Sequence, residues 1–312
     1  MERSAASPIR RVLVVGAGTM GRGIASLCAL RGVTTFLFDA DPDALGRAHH
    51  AIDESWEKSV RKGRLDAEGL AAARHRLHGL DRLIEGSSAE LVIEAIPEDL
   101  DLKRMLFAEL DAVCGKGTIF ATNTSSLSIT KIGEATGRAD RVVGLHFFNP
   151  APAMPLVEIV VGRRTSDATR DLAREFAEAL GKSPIVVEDS PGFATSRLGL
   201  ALGLEAMRMA EEGIATPSDI DQAMEKGYGH SLGPLKTSDL VGLDVRLSIA
   251  ETLSRELSID RFRPPEILRL LVAEGKLGKK SGRGFYLWTE KGPVPAELPE
   301  ARRRTPHSRG TR

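Results

Sequence analysis

The stretch RVLVVGAGTMGRGIASLCALRG near the N-terminus leaves this chain few ways to fold. A short Val/Leu run, Val12 to Val15, is followed by glycines at 16, 18 and 21, then by Ile24, Leu27 and Cys28 at helical spacing. A strand that passes so abruptly into a helix needs a tight turn and close backbone approach, which Gly16, Gly18 and Gly21 permit. The same turn exposes the amides of a helix N-terminus, where a pyrophosphate is stabilised. Three glycines alone are weak evidence, but a second strand, TTFLFD, ends in Asp39, 18 residues beyond Gly21. A carboxylate there can hydrogen-bond both ribose hydroxyls of an adenosine. The pattern therefore predicts a dinucleotide-binding unit. Asp39 would repel a 2′-phosphate and no arginine follows it at once, so the expected cofactor is NAD rather than NADP.

Further strand-like runs follow at 90–96, 118–123, 142–148, 156–161 and 184–189, with helical patterns at 101–113 and 167–181 between some of them. Alternating strands and helices imply a mostly parallel, Rossmann-like sheet covered on both faces, whose ligand crevice lies at the carboxyl ends of the strands. PED after the third strand, NTSS after the fourth and HFFNP after the fifth all fall on that edge. In GLHFFNPAPAMPLVEIV, His146 and Glu158 interrupt apolar runs where an unpartnered carboxylate would be costly, so each is the natural partner of the other. Between Asp39 and the third strand, Asp41 and Pro42 open a helix whose apolar stripe is Leu45, Ala48, Ile52, Trp56 and Val60. Ser55 and Lys62, seven apart, share a face off that stripe.

The 312 residues suffice for two domains, with a boundary expected at 188/189. Lysine plus arginine (43) balances aspartate plus glutamate (43), which gives no footprint for nucleic acid. No apolar run approaches the length of a membrane span, and the N-terminus lacks the apolar core of a signal peptide. Two cysteines, Cys28 and Cys114, sit in apolar helix-like patterns and read as reduced core residues of a cytoplasmic protein. From 189 to 288 helical patterns recur, continuing through VRLSIAETLSREL and PPEILRLLVAEGKLG, and predict a smaller all-helical domain. They include a run at 192–213 that is apolar nearly all round until Arg208, and a helix capped by Thr216 before Pro217. Residues 289–312, ending in EARRRTPHSRGTR, read as a disordered basic tail. No metal-ligand cluster is expected.

GAGTMGRGIA, EAIPEDLDLK, NTSSLSI, GLHFFNPAPAMPLVEIV, DSPGF, GHSLGPLKTSDLVGLD and LGKKSGRGFY, in that order from about residue 10 to 288, together resemble the 3-hydroxyacyl-CoA dehydrogenases of fatty-acid oxidation. The bacterial 3-hydroxybutyryl-CoA dehydrogenases are most similar. The resemblance implies an N-terminal NAD domain, a helical C-terminal domain that carries most of a homodimer interface, and a short acyl-CoA substrate. It makes His146 the general base and Glu158 its orienting partner, consistent with the chemistry of removing a proton from an alcohol near neutral pH. It puts Ser125 beside the reacting carbon and cofactor, with Asn149 supporting the same site. Gly16, Gly18, Met20, Gly21, Asp39, Glu98 and Lys103 are implied to line the NAD pocket, reached by Lys280 from the second domain. Ser55 and Lys62 fall where the family binds coenzyme A.

One position departs from the family. After the PGF turn the pattern is asparagine then arginine, and this chain has Ser196 before Arg197, a shorter group where the substrate is held. Two other readings stay open: a relative acting on a hydroxy acid without coenzyme A, such as a sugar acid, and an NAD-binding structural or regulatory protein without catalysis.

Overall fold

The computed structural model describes residues 8–299, and contacts divide the chain into a unit ending at Phe193 and another beginning at Ala194. The first unit opens with β1 (Arg11–Val15), α1 (Thr19–Leu30) and β2 (Thr34–Phe38). It continues through α2 (Pro42–Arg61), α3 (Ala67–Arg76), β3 (Leu77–Leu80), β4 (Leu91–Glu94), α4 (Leu100–Val113) and β5 (Ile119–Thr122). It closes with α5 (Ile129–Gly133), β6 (Val142–Phe147), β7 (Leu156–Val161), α6 (Asp167–Ala179) and β8 (Ser183–Glu188). The eight strands form one sheet in the order β3-β2-β1-β4-β5-β6-β7-β8. Every neighbouring pair is parallel except β6 with β7. Strand order reverses direction between β1 and β4, the switch point where sheets of this kind bind ligands.

Alternation along β1 explains the two faces. Val12 and Val14 pack under α1, α2 and α6 with Ile24, Cys28, Trp56 and Phe176. Leu13 and Val15 face the other way, toward Phe107 and Leu110 of α4 and Ile129 and Ile132 of α5. Asp41 caps α2 by accepting from the Asp43 amide, and Ala48, Ile52 and Trp56 of the expected stripe are buried. The Trp56 indole donates to Ser26 Oγ at 2.7 Å, tying α2 to α1. The sequence pattern does not announce strand β3 or helix α3. LHGL offers only four residues, three of them not fully buried, and α3 has a single buried residue, Ala73. Cys114 is buried but terminates α4 as its C-cap rather than lying inside it.

The second unit comprises α7 (Thr195–Glu211), α8 (Pro217–Gly227), α9 (Pro234–Val241), α10 (Leu243–Leu257) and α11 (Glu266–Ala273), followed by β9 (Tyr286–Thr289) paired antiparallel with β10 (Gly292–Pro295). Its core joins Leu200, Leu204 and Met207 of α7 to Leu235, Leu253, Ile267 and Phe285. The body is helical, with Thr216 capping α8 as expected. The expectation of an all-helical domain ending at 288 and a disordered tail from 289 needs correction, because residues 286–295 form this hairpin. Buried Asp239 organises it, accepting from the amides of Phe285 and Tyr286 and the Trp288 indole. A sequence pattern cannot reveal this, since the anchoring carboxylate lies 46 residues before Phe285. Residues 300–312 of the expected tail lie outside the described residues.

Candidate active site

Gly16 and Gly21 are needed where they stand. Gly16 has φ +102°, and a Cβ there would lie 2.6 Å from the Ala95 carbonyl; one on Gly21 would lie 1.7 Å from Gly16 O. Gly18 is different: nothing lies within 4 Å of the place a Cβ would take, so the loop is open there. Asp39, half-buried at the end of β2, accepts from the Ala17 amide at 2.6 Å through one oxygen and the Asp41 amide at 2.9 Å through the other. Each oxygen keeps a second lone pair for a ribose hydroxyl. An open glycine turn at a helix N-terminus beside a fixed, part-exposed carboxylate fits the adenosine diphosphate half of NAD. Met20 follows on α1, half-buried against the core.

The loop after β4 is held by a buried charge system. Glu94, the last residue of β4, is fully buried and accepts from Lys103 Nζ, from the Ile96 amide at 2.7 Å and from Thr122 Oγ1 at 2.6 Å. Lys103 also approaches Glu98 Oε2 at 3.4 Å. The other oxygen of Glu98 accepts from Thr124 Oγ1 at 2.6 Å, the Ser125 amide at 2.9 Å and the hydroxyls of Ser125 and Ser126. Burial pushes the Glu98 carboxyl up, but the Lys103 charge and these donors outweigh it and hold its pKa below the usual value. Lys103 itself is 1% exposed, so it sits beneath the pocket it was expected to line. What it supports is Glu98, and through Glu98 the 124–126 loop. Glu94 was missed by sequence reasoning; a carboxylate closing an otherwise apolar strand, nine residues before a lysine on one helix, was the available signal.

His146 and Glu158 are register partners across the antiparallel β6–β7 pair, so their side chains stand side by side on one face. His146 Nδ1 lies 2.7 Å from Glu158 Oε2, with Glu158 fully buried. The imidazole packs against Phe148, with ring centroids 4.5 Å apart, and against Phe193 at 5.9 Å. Asn123, at the end of β5, accepts from the Phe147 amide and joins the NTSS loop to this strand. Asn149 follows, exposed, at the start of the β6–β7 connection. Lys182 clamps that connection from below, donating to the carbonyls of Ala151 at 2.6 Å, Met154 at 2.8 Å and Pro152 at 3.3 Å. The first unit thus brings the glycine loop, Asp39, Glu98, Ser125, His146 and Asn149 to one edge of the sheet.

Ser55 and Lys62 do share a face, both exposed, with Lys62 as the C-cap of α2. In the second unit, Ser196 is half-buried in the first turn of α7, and Lys280 pairs with Asp244 at 2.6 Å. Among the described residues no His/Cys/Asp/Glu cluster is suited to a metal ion.

Residues 11–190 match the family model of the 3-hydroxyacyl-CoA dehydrogenase NAD binding domain, and residues 192–288 match that of the C-terminal domain. A probable 3-hydroxybutyryl-CoA dehydrogenase of Bacillus subtilis is 40% identical over 91% of this chain and 99% of its own length. The human mitochondrial hydroxyacyl-coenzyme A dehydrogenase is 42% identical over 89% of this chain and 91% of its own. The crystal structure of the (S)-3-hydroxybutyryl-CoA dehydrogenase of Ralstonia eutropha superposes with a TM-score of 0.88 at 40% identity, covering 90% of this chain and all of that one.

Proposed function

The chain belongs to the 3-hydroxyacyl-CoA dehydrogenase family and is an NAD-dependent oxidoreductase, and from that premise we propose that it interconverts (S)-3-hydroxybutyryl-CoA and acetoacetyl-CoA with His146 as the proton carrier. The observation that carries the reading is the 2.7 Å His146–Glu158 pair at the carboxyl edge of the sheet, beside the NTSS loop. An ionised Glu158 holds the proton on Nδ1 and leaves the Nε2 lone pair free to take the proton of the substrate hydroxyl. As the imidazolium forms, the buried carboxylate stabilises it, and in the reverse direction Nε2 returns the proton to the 3-oxygen. NAD, when bound, accepts the hydride that leaves the carbinol carbon.

Gly16, Gly18, Met20 and Gly21 are the residues suited to hold the cofactor's pyrophosphate end, Asp39 its ribose, and Glu98 and Ser125 its nicotinamide end, with Lys280 contributing by resemblance. Ser125 and Asn149 are assigned to the reacting carbon, Ser196 to the acyl thioester, and Ser55 and Lys62 to the phosphates of coenzyme A, where a lysine and a hydroxyl are natural partners. A homodimer built on the second unit is supported by its exposed apolar side chains, among them Leu198, Ile214, Tyr228, Leu240 and Val241. Two buried, unpaired cysteines, and no helix among the described residues long and apolar enough to cross a membrane, support a cytoplasmic setting.

Following NADH absorbance with acetoacetyl-CoA tests the proposal, and rapid oxidation is expected. Turnover of sugar acids with none of CoA thioesters would move the enzyme to another branch. Inertness toward both would leave a binding protein.

A further inference from the structure

Lys182 stands in the turn between α6 and β8, only 8% exposed, and among the described residues no carboxylate pairs with it. Its backbone is fixed on both sides. The Lys182 amide donates to the Ala177 carbonyl at 3.0 Å, and Ser183, the next residue, pairs in β8 with Leu156 of β7. Burial, and then the charge of Arg31 at the end of α1, pull the Lys182 pKa down, opposed by buried Cys28. Carbonyl dipoles hold the ammonium instead. All three of its N–H donors are used, on the carbonyls of Ala151 at 2.6 Å, Met154 at 2.8 Å and Pro152 at 3.3 Å. Three carbonyl oxygens brought to one point repel one another unless a cation sits among them, as in a cation site built of backbone oxygens. The shape of this turn therefore depends on the ammonium.

Residues 149–155 belong to neither β6 nor β7. Within them the Ala153 and Met154 amides both donate to the Pro150 carbonyl at 3.0 Å. Ala151, 2% exposed, abuts α1 where a Cβ on Gly23 would stand 3.4 Å from its own Cβ. Sheet register places His146 without help from this turn. Asn149 lies beyond the last residue of β6 and two residues before Ala151, so the connection sets its place. We infer that Lys182 is a positioning residue for the proposed reaction: its ammonium gathers the 151–154 turn and so sets where Asn149 stands relative to His146. This rests on the proposed function, which assigns Asn149 to the reacting carbon. Lys182 itself lies beneath the turn and takes no part in the bond changes.

The test is a double-mutant cycle on kcat with acetoacetyl-CoA, using Lys182→Met and Asn149→Ala singly and together. Lys182→Met keeps the apolar stem and removes the cation. It should lower kcat by roughly 10–10²-fold, the cost of displacing a reacting group by about 1 Å, while NADH affinity in a fluorescence titration stays within about threefold of native. In the Asn149→Ala background the same substitution should cost almost nothing further, because the two residues act through one contact. Propylammonium added to Lys182→Ala replaces the missing atoms and should recover kcat, whereas propanol should not. Losses that multiply in the double variant overturn the inference, as do no rescue by propylammonium and equal rescue by propanol. A Lys182→Met protein that does not fold also overturns it, making the lysine structural. A native enzyme that does not reduce acetoacetyl-CoA is instead a failure of the proposed function itself.

Discussion

At the scale of single residues, the proposed proton transfer rests on the histidine–glutamate pair. Replacing His146 by glutamine removes the proposed proton acceptor while leaving the glycine loop untouched. We expect kcat to fall roughly 10²–10⁴-fold, the usual weight of a positioned acid–base group, with NAD affinity preserved in a fluorescence titration. Near-native turnover would take His146 out of the reaction. Glu158→Gln should also lower kcat, because a neutral amide stabilises the imidazolium less well. In the same proposal Asp39 selects the cofactor. Its oxygens are already anchored on the Ala17 and Asp41 amides, so the carboxylate cannot swing away from a 2′-phosphate. NAD should be preferred over NADP by at least about tenfold in kcat/KM, or about 1.4 kcal/mol; equal values would refute the assignment. These residues were legible in the sequence because each interrupts a pattern: glycines in a turn, an acid at a strand end, a histidine in an apolar run. Glu94 and Arg246 were not, since one Glu in EAIPED and one Arg in a helix look ordinary until their burial is known.

Secondary-structure elements carry the next level of constraint. The ends of β4 and β5 and the start of α4 are pinned by Glu94 and Lys103, a pair with side chains no more than 1% exposed. Lys103→Met strands a buried carboxylate and should cost about 3–5 kcal/mol in a urea titration, whereas the double variant with Glu94→Gln should recover part of that loss. A Lys103→Met variant with unchanged stability would show that the pair is dispensable. The same variant should disturb Glu98 and, through it, the hydroxyl-rich 124–126 loop, so its KM for NADH should rise. Long periodic elements such as α2 and α6 could be read from sequence because their apolar stripes are wide. Strand β3, helix α3 and helix α9 could not. The first two owe their form to neighbours rather than to a clear period, and α9 starts at a Gly-Pro step, with the amides of the next two residues, Leu235 and Lys236, capped from α8 by buried Asp221.

Taken whole, the molecule joins a sheet that presents chemistry at one edge to a helical body with apolar residues on its surface. Leu240 and Val241, 46% and 44% exposed at the end of α9, belong to the surface on which a second copy is expected to pack. Sedimentation velocity should give a dimer for the native protein and a monomer for Leu240→Asp combined with Val241→Asp; a native monomer would end the proposal. What the sequence determined by itself was local and periodic: a strand–turn–helix glycine pattern, an alternation of elements that requires a layered sheet, and the identity of the groups at its carboxyl edge. Tertiary structure alone decided which charges were buried and with whom. Register across β6 and β7 set His146 beside Glu158, burial turned Lys103 from a lining residue into a support, and the packing of α10 left Arg246 without an anion among the described residues. Chain order fixes neighbours a few residues apart, but desolvation and pairing depend on atoms brought together from distant segments.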